Sequence, residues 1–127
     1  MVQKLVALTV RLDQDRLLAT VTFVNDTPEK VWLSPDRFSV KASTFDSDSF
    51  EVDPANGSSR YLKAMIKRAW RPEDLEAVNP GESVGMTVEL SEFYVFKCPT
   101  KCRVRYRAFH SQPDGRLVLL ESAFVEW

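Results

Sequence analysis

The feature that most constrains this chain is a strict period of two. From Ser83 to Leu90, the apolar residues Val84, Met86, Val88 and Leu90 alternate with Ser83, Gly85, Thr87 and Glu89. Alternation of this kind puts apolar side chains on one face and small or polar ones on the other, as in a half-buried strand. Asn79-Pro80-Gly81-Glu82 launches the run. Proline presets φ there and glycine supplies the positive φ that many tight turns need. A second run places Cys102, Val104, Tyr106 and Ala108 on one face and Arg103, Arg105 and Arg107 on the other. Strands like these bury their apolar sides only against a facing layer, so the pattern predicts a sandwich.

The same period opens the chain. Val6, Leu8, Val10 and Leu12 form one alternating set, and Leu17, Ala19, Val21 and Phe23 form a second beyond Asp13-Gln14-Asp15. The pair reads as an antiparallel hairpin with one buried face. Asn25 to Lys30 is a polar turn, and Val31-Trp32-Leu33 is a short third strand. Phe38 to Lys41 and Phe50 to Val52 are further short strand candidates, and Ser43 to Ser49 reads as loop. Asp53 to Ser59 is a strong turn cluster.

Tyr61 to Trp70 has mixed spacing that suits either a helix or an irregular extended crossing. Pro72-Glu73-Asp74-Leu75 reads as a single helical turn, with proline first and acids near the positive end. Phe93 to Phe96 is an aromatic connection expected to cover one end of the core. Gln112-Pro113-Asp114-Gly115 is a turn. The last strand, Leu117 to about Val125, alternates ambiguously, which predicts a bulge or burial on both faces. The expectation is an all-β, immunoglobulin-like antiparallel β-sandwich of about seven to eight strands, with at most a single short helical turn. A length of 127 residues fits one domain, 1–127.

Charge and composition narrow the function classes. Net charge is −1, so no global field favours nucleic acid or an anionic membrane. No apolar run approaches the roughly 20 residues needed to span a bilayer. The apolar start, Val2 to Val10, is short, alternating and soon charged, so it reads as a strand rather than a signal peptide, and a cytoplasmic location is expected. Cys98 and Cys102 are the only cysteines. They would close a small disulfide loop in an exported protein and stay reduced in the cytosol. Cys102 keeps the phase of Val104 and Tyr106 and reads as a small buried hydrophobe.

Catalytic and metal chemistry find little support in the residues. A zinc site needs four ligands, and the chain has one histidine, His110. Cysteine catalysis needs a neighbouring base, but Cys102 and His110 stand at opposite ends of one strand. Asp46, Asp48, Glu51 and Asp53 suggest calcium, yet Phe50 interrupts the ligand pattern and the turn glycine is missing, so a solvated loop is the simpler reading. The expectation is a non-enzyme without cofactor.

A longer succession carries a resemblance: Tyr61-Leu62-Lys63-Ala64-Met65-Ile66-Lys67-Arg68, Arg71-Pro72-Glu73-Asp74-Leu75, Asn79 to Val84, Val88 to Ser91 and Tyr94-Val95-Phe96. With Val21 to Asn25 and Val104 to Tyr106, it resembles the non-catalytic N-terminal β-sandwich region of deuterolysin-like (aspzincin, peptidyl-Lys type) metallopeptidases. That family's catalytic half carries a His-Glu-x-x-His zinc motif, which this chain lacks, so no catalytic residue is carried over. The resemblance implies an accessory-type domain that binds or positions protein chains.

The residues offer a candidate face for such a role. Arg103, Arg105 and Arg107 form a cationic ladder, which either pairs with Glu89, Glu82 or Glu121 on neighbouring strands or docks an acidic protein surface. Lys63, Lys67 and Arg68 extend it, and Trp70 is the best exposed anchor candidate, because tryptophan and arginine are enriched at binding hot spots. Trp32, between Val31 and Leu33, reads as a core or core-rim residue. The functional expectation is a non-catalytic protein-binding module, such as an inhibitor or immunity-type protein neutralising a cognate peptidase or toxin. A small-ligand or carbohydrate-binding sandwich, using Trp70 and the Tyr94 region, is the alternative.

Overall fold

The computed structural model describes residues 2–38, 48–53, 58–61, 72–97 and 102–127. It is all-β apart from single helical turns. In chain order the strands are β1 (Val2–Asp13), β2 (Arg16–Val24), β3 (Val31–Leu33), β4 (Phe50–Asp53), β5 (Ser58–Tyr61), β6 (Glu76–Val78), β7 (Ser83–Glu89), β8 (Tyr94–Lys97), β9 (Arg103–Ser111), β10 (Leu117–Ser122) and β11 (Val125–Glu126). A 3-10 turn at Pro72–Asp74 stands where the proline–acid sequence predicts it. A second turn, α1 (Leu90–Phe93), exceeds the single one expected, because the chain leaves the β7 ladder after Glu89 and Leu90 goes into the core instead. The candidate strand at Phe38 to Lys41 keeps only a buried Phe38 within the described residues. Most of the stretch that suits either a helix or an extended crossing, residues 62–70, lies outside the described residues.

The main sheet has seven strands: β9 carries β10 and then β11 along one edge and β4 along the other, and β10 is followed by β1, β2 and β7. The first strand serves two neighbours. Ala7 to Asp13 pairs antiparallel with β2 as the hairpin pattern predicts, whereas Val2 to Val6 pairs parallel with Val118 to Ser122 of β10. The all-antiparallel expectation is therefore corrected at β1. Parallel pairing needs a partner far away in sequence, which a local pattern does not encode. Two smaller ladders, β3–β6 and β5–β8, complete the described strands.

The alternating sets do what the period requires. Leu17, Ala19, Val21 and Phe23 are all buried, as are Cys102, Val104, Tyr106 and Ala108. They join Val6, Leu8, Met86, Val88, Leu90, Val118 and Leu120 in one core cluster, apart from Cys102. Leu12 keeps the phase of this set but lies 64% exposed, past the end of the core. The last strand resolves its ambiguity in both predicted ways. Val118, Leu119 and Leu120 are consecutively buried. Between the Glu121–Arg107 and Val125–Val104 pairs, four steps on one strand oppose three on the other, which is a one-residue bulge.

The turns follow their chemistry. In Asn79–Glu82 the Glu82 amide donates to the Asn79 carbonyl at 3.0 Å, and Gly81 has φ +82°, as in a type II turn. The Glu82 carboxylate also accepts from the Asn79 amide at 2.7 Å. In the β9–β10 hairpin, Gly115 (φ +87°) donates to Gln112 and Gln112 donates to Arg116, as in a type I turn closed by a glycine bulge.

Candidate functional site

Arg103, Arg105 and Arg107 stand on the outer side of β9 and are met by acids from strands on both flanks. Arg103 pairs with Asp53 of β4. Arg105 reaches Glu51 of β4 at 2.6 Å and Glu121 of β10 at 3.5 Å, and Arg107 reaches Glu121 at 2.9 Å. The strand register sets these pairs, since Glu51 lies opposite Arg105, Asp53 opposite Arg103, and Glu121 opposite Arg107. The Phe124 ring lies 5.0 Å from the Arg103 guanidinium and 4.6 Å from that of Arg105, and Phe109 lies 5.1 Å from that of Arg107. Stacking and pairing together fix the guanidinium planes.

Of the acids that the sequence offered, Glu121 takes this role. Glu89 pairs instead with Arg16, and that hydrogen bond holds its carboxyl below the usual carboxylate range. Glu82 closes the Asn79–Glu82 turn. Glu51 and Asp53, which read from sequence only as calcium candidates, are committed to the arginines. Asp48 accepts from the Tyr94 hydroxyl at 2.7 Å. Among the described residues no group of three or more His, Cys, Asp or Glu is arranged to hold a metal ion. Lys63, Lys67, Arg68, Trp70 and Asp46 lie outside the described residues.

The same outer surface continues into apolar side chains. Leu5 of β1 sits beside Glu121 of β10, which sits beside Arg107 of β9, in one row across three strands. Leu5 is 79% exposed. Leu117, on the same side of β10, is also exposed, and Phe109 is half-buried. The surface therefore has a charged lattice toward β4 and an apolar part toward β1.

His110 lies in the interior, 0% exposed. Its Nδ1 accepts from the Ser34 amide at 2.9 Å, and its Nε2 faces the Tyr106 hydroxyl at 3.2 Å. Tyr106 donates its hydroxyl hydrogen to the Arg37 carbonyl at 2.7 Å. With that hydrogen spent, the tyrosine oxygen accepts from His110, so the proton of the neutral imidazole sits on Nε2. Burial, assisted by the nearby Arg37 charge, pushes the His110 pKa down to about 3. Burial likewise pushes the Tyr106 phenol well above its ordinary value. An imidazole held neutral and fully bonded in the core is a structural clamp.

Gln112 completes that clamp. Its amide oxygen accepts from the Trp32 amide at 2.9 Å, and its amide nitrogen donates to the Trp32 carbonyl at 3.0 Å. One side chain thus copies the paired bonds of a strand ladder and fastens β3 beside β9. Tyr94 is 4% exposed, and its hydroxyl oxygen also accepts from the Phe50 amide at 3.1 Å, which removes it from the exposed aromatics considered for sugar binding. Trp32, read from sequence as a core or core-rim residue, is half-buried. Cys102 is 1% exposed, in the expected phase, and is disulfide-bonded. The chain's other cysteine, Cys98, lies outside the described residues.

A cleft opens at the end of the fold where the start of β1, the β2–β3 loop and the β9–β10 hairpin meet. It has a volume of about 280 Å³ and is bordered by Lys4, Pro28, Lys30, Val31, Arg116 and Val118. A second cleft of about 220 Å³ adjoins it across Lys30, Gln112 and Arg116 and extends over Trp32 and Pro113. Asn25 stiffens the loop, because its buried amide donates to the carbonyls of Glu29 and Val78, both at 2.8 Å, while its oxygen accepts from Thr27. Arg116 is held by Asp114 at 2.6 Å and by Glu29 at 3.6 Å.

No protein-family model matches the chain, and no curated protein matches it.

Proposed function

We propose that the chain is a non-catalytic protein-binding module, built as an immunoglobulin-like sandwich folded over along β1, and that it docks a partner through the outer surface of β1, β10, β9 and β4. The sandwich reading is supported by one core shared between the β2–β7 side and the β9–β10 side of β1. The observation that carries the docking surface is the row Leu5–Glu121–Arg107, in which a leucine 79% exposed adjoins the acid that holds Arg105 and Arg107 in place. Arginines that are fixed before docking lose less side-chain freedom on binding, and an exposed apolar side chain supplies area to bury. The ladder's internal pairing alters the expected chemistry. A lattice of both signs favours a partner surface of alternating charge over a uniformly acidic one.

The resemblance to the accessory region of deuterolysin-like peptidases gives this reading its specific form, an inhibitor or immunity-type protein that neutralises a cognate peptidase or toxin. The test is site-specific photo-crosslinking in native extract, with the crosslinker at Leu5 and, as control, at Thr20 on β2. A discrete adduct from position 5, competed by unlabelled protein and absent from position 20, is the expected result. Equal labelling from both positions, or no discrete adduct, would sink the proposal.

A further inference from the structure

We infer that the cleft between Lys4, the β2–β3 loop and the β9–β10 hairpin binds a small organic anion: an acidic head on the lysines and an apolar body on Val31, Val118 and Pro28. This site is separate from the docking surface and takes a different class of ligand.

Several observations converge on that chemistry. The floor is apolar, and Val31 and Val118 are core residues whose edges reach the cleft. Both acids of the two clefts are already engaged, since Asp114 and Glu29 face Arg116. The hydrogen bonds from Arg116 hold the Asp114 carboxyl below its ordinary range, so it stays an anion spoken for by its own neighbour. Lys4 and Lys30 have no ion pair among the described residues, and Lys30 rests 5.9 Å from the centre of the Trp32 ring. The cleft is thus bordered by two lysines without an acidic partner among the described residues and by the apolar side chains of Val31, Val118 and Pro28.

Its walls are rigid where selectivity needs them to be. Gln112 is locked by its bonds to Trp32 and to the His110 carbonyl, and the loop from Thr27 to Lys30 is locked through Asn25. A site whose walls do not reorganise loses less free energy on binding. A volume of about 280 Å³ selects a short ligand, just below the roughly 300 Å³ where drug-sized sites begin. Lys4 also projects toward this cleft from the register position opposite the buried Leu120, an inward-facing charge on a strand that would otherwise carry an apolar residue.

Hexanoate is the probe, compared with hexanamide, which has the same length without the charge, and with acetate, which has the charge without the chain. Amide chemical shifts followed by NMR report both affinity and place. Saturable hexanoate binding that moves the amides of Thr27, Lys30, Val31, Gln112, Arg116 and Val118 is expected. Its dissociation constant rises at least tenfold for K4Q/K30Q, and hexanamide and acetate bind at least tenfold more weakly than hexanoate. Absence of saturable binding, equal affinity for hexanamide, or shifts confined to β9 would each overturn the inference. The hexanamide comparison decides the point even where K4Q/K30Q fails to fold. None of these outcomes bears on the Leu5 crosslink.

Discussion

At the scale of single residues, His110 shows how a lone titratable group becomes part of a core. Its folded pKa of about 3 lies below the ordinary value of 6.5, so the unfolded chain binds the extra proton more readily between those two values. The stability this contributes is fully present above about pH 6.5 and is lost as pH falls toward 3, at about 1.4 kcal/mol per unit. Replacing His110 with Gln removes that dependence but leaves Ser34 or Tyr106 imperfectly bonded, at a cost of about 1–3 kcal/mol at neutral pH. Urea unfolding of both proteins from pH 7 to 4 should show the gap between them closing as acid is added; a constant gap would show that His110 does not titrate this way. Gln14 is the opposite case, a residue at φ +56° in the β1–β2 turn, where glycine is at ease. Gln14→Gly should raise stability by about 0.5–1 kcal/mol, and Gly81→Ala, at φ +82° with no neighbour within 4 Å, should lower it by about 1 kcal/mol through the backbone alone.

At the scale of elements, local rules carry far. Pro80-Gly81 and Pro113-Asp114-Gly115 make the turns that their residue types require, and the period of two identifies the buried faces of β2, β7 and β9. The partners of the arginine ladder are less legible. Glu51 and Asp53 belong to a strand of four residues that the sequence offers as a candidate, but nothing local says that it pairs with β9 across the intervening chain. Nor does sequence reveal His110 and Gln112 as fasteners of β3, since their partners are backbone groups 76 and 80 residues away. The lattice itself is a modest stabiliser, as half-exposed ion pairs are worth about 0–1 kcal/mol each. A double-mutant cycle on Arg105 and Glu51, with Arg105→Met and Glu51→Gln, should therefore return a coupling below about 1 kcal/mol that shrinks further in high salt. A larger, salt-insensitive coupling would mean that the lattice is part of the folding core rather than a presented surface.

At the scale of the whole molecule, β1 is the element on which the rest depends. Its first half closes onto β10 and its second onto β2, so the strand joins the two ends of the chain and both groups of strands. The second half is legible in the sequence, because its partner follows after a two-residue turn; the first is not, because its partner lies more than a hundred residues away. That arrangement has a consequence for cooperativity. If β1 were an appendage, Val2 to Val6 would exchange its amide hydrogens through local fraying, as chain ends usually do. Val6 and Leu8, however, are buried in the same core cluster as Val21, Val104 and Leu120, so opening either half exposes the core of the other. Native-state hydrogen exchange should thus give the bonded amides of Val6 and Thr9, one on each half of β1, the same opening free energy as those of Val21 and Val104. Val6→Ala should lower all four together, by about 1–3 kcal/mol from lost burial and the residual cavity. Loss of protection confined to Val2 to Val6 would show instead that the parallel pairing is a separable latch, and that the molecule divides at β1.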